Sequence, residues 1–173
     1  MVESLIALGS NVGVREDNLR RGLELIGQKA TILEVSPVYE TEPMYYLPQG
    51  WFLNCVAAVE TAMGPRALLD WLKAIELQMG RRPGVRYGPR VIDLDILFYG
   101  DEIVSEPDLK IPHPLIAERP FVLVPLNEIR PELVHPVLKA RIADLLKELK
   151  GDERIIKRPG LLADLHRGSP QRP

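Results

Sequence analysis

The chain has 173 residues, of which 46% are hydrophobic and 27% charged, an ordinary globular balance with enough apolar material for the core of one domain. Its 22 Lys and Arg against 24 Asp and Glu leave a net charge of −2, which argues against a general pull toward nucleic acid or an anionic membrane. The single cysteine excludes an internal disulfide, and no stretch approaches the ~18 apolar residues of a membrane span. Cys55 lies in the apolar run 53–59 with no base nearby and reads as a small core residue. The first residues, MVESLIALGSN, carry Glu3 and lack both a basic lead-in and a long apolar stretch, so a cytoplasmic protein is expected.

Residues 3–8 are a short apolar strand, ended by the turn-forming Gly9, Ser10 and Asn11. A helix is predicted over about 15–29, with Leu19, Leu23 and Ile26 on one stripe. Residues 31–41 and 52–61 are rich in strand-forming types. Between them EPMYYLPQGW (42–51) reads as a loop whose Tyr45, Tyr46 and Trp51 either cover a flat ligand or pack locally. Pro65 opens a second helix that Gly80 stops, with Leu68, Leu69, Leu72, Ile75 and Met79 facing inward. A strand follows over 91–99, then a long Pro-punctuated segment over 105–136 and an amphipathic helix over 139–149 carrying Ile142, Leu145, Leu146 and Leu149. The order strand, helix, strand, strand, helix, strand predicts an α+β, ferredoxin-like (split βαβ) fold, a mainly antiparallel sheet with helices on one face. Residues 1–158 form the single domain and 159–173 a loose tail. Many activities share this architecture, so function has to come from the site.

The stretch VIDLDILFY (91–99) is the most informative. Strand side chains alternate, so Ile92, Leu94, Ile96 and Phe98 share an apolar face, while Asp93 and Asp95 leave the other with Cα atoms ~6.5–7 Å apart. Carboxylates that close repel unless a cation joins them, and magnesium suits two carboxylates completed by water and substrate phosphates. A strand whose polar face merely meets water would carry the same residues, although strands disfavour Asp. Just upstream GRRPGVRYGPR (80–90) holds Arg81, Arg82, Arg86 and Arg90 among three glycines, so it is a loop rather than a helix. Guanidinium forks bind phosphate oxygens bidentately, and Tyr87 adds a flat ring for stacking. A solvated basic loop is the plainer reading of the arginines alone; beside two metal-ready aspartates, phosphate chemistry explains them better. The chain lacks a P-loop and a G-x-G-x-x-G, so arginines and metal would have to hold any ATP phosphates.

The segment YGPRVIDLDILFYG (87–100) resembles the signature of the 6-hydroxymethyl-7,8-dihydropterin pyrophosphokinase family. Supporting matches are IALGSN (6–11), YETEP (39–43), FLNCV (52–56), IELQMGR (75–81), IPHP (111–114) and RPFVLVPL (119–126), in the family's order over about 1–135. The resemblance implies pyrophosphoryl transfer from ATP to the pterin alcohol in folate biosynthesis; with the charge balance arguing against nucleic acid and membrane, small molecules are the expected partners, and a monomer is expected rather than an oligomer. Asp93 and Asp95 would hold two magnesium ions, with Arg81 and Arg90 neutralising the transferring group. Glu76, Arg82, Arg86, His113 and Arg119 match nucleotide-binding positions. Thr41, Met44, Phe52, Asn54 and Phe121 match the pterin pocket, with Tyr87 where the family often has tryptophan. Plainer readings exist for each: Glu76 as a helix-end charge, His113 as an idle loop histidine, Phe52 and Phe121 as core. The arginine loop is one residue short of the pattern, Asp108 stands where a basic nucleotide contact can occur, and Pro114 replaces an aromatic. Two other classes fit parts of the chain. One is an RNA-binding module on a similar sheet, for which no K/R-G-F/Y-x-F motif is present; the other is a metal-dependent nucleotidyltransferase or nuclease using the same aspartates.

Overall fold

Two long apolar strands organise the molecule, a computed structural model that describes residues 1–81, 84 and 86–165. β1 (Val2–Ser10) and β4 (Phe52–Thr61) pair antiparallel along their whole lengths, from Val2 opposite Thr61 to Ser10 opposite Leu53. β5 (Asp93–Tyr99) lies on the free side of β1. β2 (Thr31–Val35) and β3 (Tyr39–Thr41) share the far edge of β4 end to end. The sequence suggested one strand here. Pro37 has no N–H to donate, and Ser36 bridges the break with both its N–H (to the Val56 carbonyl, 2.8 Å) and its hydroxyl (from the Val56 N–H, 2.8 Å). A short C-terminal strand, β8 (Ile155–Lys157), extends the sheet beyond β3. β6 (Val104–Glu106) and β7 (Leu109–Ile111) form a separate two-stranded ribbon. The four strands β5-β1-β4-β2 have the expected ferredoxin-like order.

Helices cover both faces of the sheet, not one. α1 (Arg15–Ile26) and α2 (Pro65–Gln78) bury Leu19, Leu23, Leu68, Leu72 and Ile75 against Ile6, Leu8, Cys55, Ala57 and Leu94. α3 (Pro120–Ile129) and α4 (Ile142–Glu148) bury Val122, Leu123, Leu126, Ile142 and Leu145 against Leu5, Val56, Ala58, Leu97 and Phe98. The reason is written in β4, where Leu53 through Val59 are all buried: a strand apolar on both faces needs cover on both. α3 itself hides in the Pro-punctuated stretch, because Pro120 sits at its first position and Pro125 inside it.

Three further expectations change. Gly9, Ser10 and Asn11 do not form a turn, since β1 runs on through Ser10. A register shift between Leu5 and Ile6 makes Leu97 an extra residue in β5, so Phe98 turns away from Leu94 and Ile96 to the α3 side. Part of the tail expected to be loose is docked. Leu162 is fully buried, Leu161 and Leu165 pack on the α1 side, and Arg20 holds Asp164 at 2.8 Å. Residues 166–173 lie outside the described residues. Cys55 is core, as read, with burial pushing its thiol up to about 12. Among the described residues no helix is long and apolar enough to cross a membrane.

Candidate active site

Strand register places side chains of β5, β1 and β4 in transverse rows on the α3 face. One row is Phe98, Leu5 and Ala58; the next is Asp95, Ala7 and Val56; the last is Asp93, Gly9 and Asn54. The first row is sealed core. Over the other two opens a cavity of ≈ 430 Å³ whose wall includes Ala7, Gly9, Asn54, Asp93 and Asp95. The expected geometry of the aspartates therefore holds: both leave the same side of β5 and enter one space.

Their surroundings differ. Asp93 accepts a hydrogen bond from the Arg81 guanidinium at 3.1 Å. The Asp95 side chain makes no hydrogen bond or ion pair with any described residue, and its carboxyl is pushed up to about 7, chiefly by burial and then by the charge of Asp93, with Arg119 opposing. Glu76 does not line the cavity. It is only 2% exposed, beneath β5, where one carboxylate oxygen accepts both the Leu94 N–H (2.9 Å) and Arg81 (2.5 Å). Burial, and Asp93 after it, raise its pKa. The residue expected to meet nucleotide instead fixes the backbone between the two aspartates and aims Arg81.

The arginine loop forms one wall. Arg81, Arg86, Tyr87 and Arg90 all line the cavity, and Arg82 lies outside the described residues. Arg90 is held at its backbone by Asn11, whose side-chain oxygen accepts the Arg90 N–H (2.8 Å) and whose own N–H donates to the Arg90 carbonyl (3.0 Å). The same Asn11 amide donates to Gln49 Oε1 and to the Gly50 carbonyl, both at 2.9 Å. Gln49 in turn donates to the carbonyls of Tyr46 (2.6 Å) and Tyr87 (2.8 Å). Loop 42–51 and residues 86–90 are thus laced together, and the Tyr45 and Tyr87 rings meet over the lacing at 4.6 Å. Tyr87 adopts φ 59, a conformation uncommon for an aromatic residue.

Across the cavity stand His113, Pro114, Arg119 and Phe121. His113 Nδ1 accepts the Leu115 N–H at 3.1 Å, which leaves the proton on Nε2. Burial, with Arg119 beside it, lowers the imidazole to about 4, so it is neutral near pH 7. Arg119 is largely buried, donates to Tyr45 Oη at 3.1 Å and stacks on the Tyr45 and Phe121 rings. Asp108 is absent from this wall; it is exposed and pairs with Arg66 at 2.7 Å.

The remaining side is amphipathic. Thr41, Met44, Phe52 and Asn54 line it, and Asn54 Nδ2 donates to Thr41 Oγ1 at 2.7 Å. Gly9 makes room for this amide, because a Cβ there would lie 2.7 Å from Asn54 Oδ1. Sequence reasoning missed Gly9, Asn11, Gln49 and Ala7. An isolated glycine in an apolar strand was the available signal, since it marks close approach of a neighbour; the Asn11 and Gln49 lacing has no local signature. Of the three loop aromatics, Tyr45 lines the cavity, and Tyr46 and Trp51 do not.

The model of the 7,8-dihydro-6-hydroxymethylpterin-pyrophosphokinase (HPPK) family matches residues 5–131. The chain belongs to this family. A Bacillus subtilis 2-amino-4-hydroxy-6-hydroxymethyldihydropteridine pyrophosphokinase is 46% identical over 126 residues, covering 72% of this chain and 75% of that one. An Aquifex aeolicus protein of the same name is 36% identical over 148 residues, covering 86% and 92%. The Dictyostelium discoideum folic acid synthesis protein is 44% identical over 133 residues, and this HPPK chain matches only 20% of its length. In structure, a Plasmodium falciparum HPPK-DHPS crystal structure superposes with a TM-score of 0.69 at 20% identity, covering 86% of this chain and 43% of that one, a likeness of fold.

Proposed function

We propose that the chain transfers the pyrophosphoryl group of ATP to the hydroxymethyl oxygen of 6-hydroxymethyl-7,8-dihydropterin, releasing AMP and the pterin diphosphate, as a step of folate biosynthesis. The alcohol oxygen, giving up its proton to solvent, bonds to the β-phosphorus while the bond from that phosphorus to the oxygen bridging to the α-phosphate breaks, and that oxygen leaves with AMP. One observation carries the reading: a carboxylate pair, an arginine wall and an amide-bearing apolar wall converge on a single cavity.

The residues fit magnesium. Among the described residues no three His, Cys, Asp or Glu come together as a full metal cage. Two hard-oxygen donors completed by a substrate's phosphates are the arrangement magnesium favours over an all-protein site. The Arg81 guanidinium on Asp93 already marks the site as one that draws positive charge. Asp93 and Asp95 would hold the metal, two ions on the family's pattern, which when bound offsets charge on the phosphate oxygens.

The chain's own groups do the rest. Arg81, Arg86 and Arg90 reach the phosphate oxygens from the loop, with Arg82 a further candidate, and Glu76 keeps Arg81 in place. Neutral His113 donates from Nε2, and Arg119 adds charge on the nucleotide side. Asn54 and Thr41 meet the pterin's hydrogen-bonding edge, while Phe52, Met44, Phe121 and Tyr87 supply flat apolar contact. Holding both substrates at attacking distance is the larger part of the catalysis.

A single-stranded RNA module would need several aromatic rings on its central strands; the residues of β1 and β4 that line the cavity are Ala7, Leu8, Gly9, Phe52 and Asn54, with a single ring among them. A nucleotidyltransferase would release pyrophosphate. The test is product analysis with ATP, magnesium and the pterin alcohol: AMP equal to pterin diphosphate, abolished by chelating magnesium, is expected, and pyrophosphate release or no pterin product overturns the assignment.

A further inference from the structure

The family match ends at residue 131, yet the segment after α4 returns to the cavity's edge. β8 pairs with β3, setting Ile155 opposite Thr41, Ile156 opposite Glu40 and Lys157 opposite Tyr39. The ladder runs one residue further, into the start of loop 42–51. The Glu42 N–H donates to the Arg154 carbonyl at 3.0 Å, and the Arg154 N–H returns to the Glu42 carboxylate at 3.2 Å. The Arg154 guanidinium lies 3.6 Å from that carboxylate and 4.9 Å from the centre of the Trp51 ring. Glu42 and Trp51 are the two ends of the loop. Arg15 grips the second end as well, donating to the Trp51 carbonyl at 2.9 Å and pairing with Glu40 at 2.6 Å, and Arg158 takes the same Glu40 at 2.9 Å.

We infer that Arg154, carried on β8, is a positioning residue that closes the base of loop 42–51 and so fixes the pocket wall formed by Thr41, Glu42 and Met44. Glu42, the residue that Arg154 holds, itself lines the cavity. The inference rests on the function proposed above, because it assigns this wall to the pterin alcohol. An exposed cation over an aromatic ring contributes modestly, and a change of about three- to five-fold is the expected scale. The loop's further ties, through Gln49 and Asn11, run to the arginine loop and are independent of β8.

Arg154→Ala and Arg154→Lys in the full chain test it with two readouts. Amide hydrogen exchange over residues 43–51 is expected to quicken in Arg154→Ala and to recover in part in Arg154→Lys. The KM for the pterin alcohol should rise about three- to five-fold, with kcat, the KM for ATP and the melting temperature unchanged. Unaltered exchange, or faster exchange with an unaltered pterin KM, overturns the inference. If the unmodified chain yields no AMP while Arg154→Ala still loosens the loop, the function assignment fails and the positioning of the loop stands.

Discussion

One face of three strands behaves as two materials. At one end of the α3 side, Leu5, Ala58 and Phe98 are buried beneath α3 and α4. Two rows further along the same strands, Gly9, Asn54 and Asp93 line an open cavity. Pairing of β1 with β4 is continuous across the boundary, while β5 crosses it at the Leu97 bulge that turns Phe98 under the helices; side chains are apolar at the closed end, and the far row is glycine, amide and carboxylate. Burial at the closed end stabilises the sheet, and that stability lets the open end hold two carboxylates at a separation that costs free energy.

The sharpest way to break this division is Asp95→Ala, expected to cut AMP formation by about three orders of magnitude or more while the chain still folds; near-normal turnover would remove the carboxylate pair from the mechanism. Leu5→Ala at the closed end should do the reverse. It is expected to cost about 2–4 kcal/mol in urea unfolding and to leave kcat close to that of the unmodified chain below the transition.

Gly9→Ala probes the boundary. The added methyl would displace the Asn54 amide, and a rise of about ten-fold in the pterin KM is expected, at the scale of a lost buried hydrogen bond. The KM for ATP should change less, and equal changes in both would count against the assignment of that wall.

A smaller effect appears in stability against pH. The Asp95 carboxyl is raised to about 7 in the metal-free fold, against about 3.9 unfolded. The folded chain therefore binds this proton more tightly. The stabilisation that gives is complete below the unfolded value and is lost as pH rises through about 7. Asp95→Asn should raise the urea midpoint most at pH 8, by roughly a third as much at pH 5, and hardly at all near pH 3. Equal shifts at all three pH values would show that Asp95 does not titrate there.

Much of this division was legible in the sequence because it is local. Alternation in DLDI put Asp93 and Asp95 on one side, and the bounds of β4 and the start of α2 follow from composition and Pro65. What stayed hidden depends on partners far along the chain. Pro125 disguised α3, whose helix survives because it packs on the sheet. The bulge that turned Phe98 over is a property of pairing with β1, invisible in β5 alone. β8 has only three residues and exists through its ladder with β3. Gly9 looked like a turn former until Asn54 was placed opposite it.

The carboxylate pair is tested most directly by its cations. Manganese, a spectroscopic substitute for magnesium, can be titrated into the chain with a non-hydrolysable ATP analogue and followed by electron paramagnetic resonance. Two tightly held ions in the unmodified chain, and loss of that binding in Asp95→Asn, are the expected result. Undiminished binding in Asp95→Asn would contradict a site built on β5.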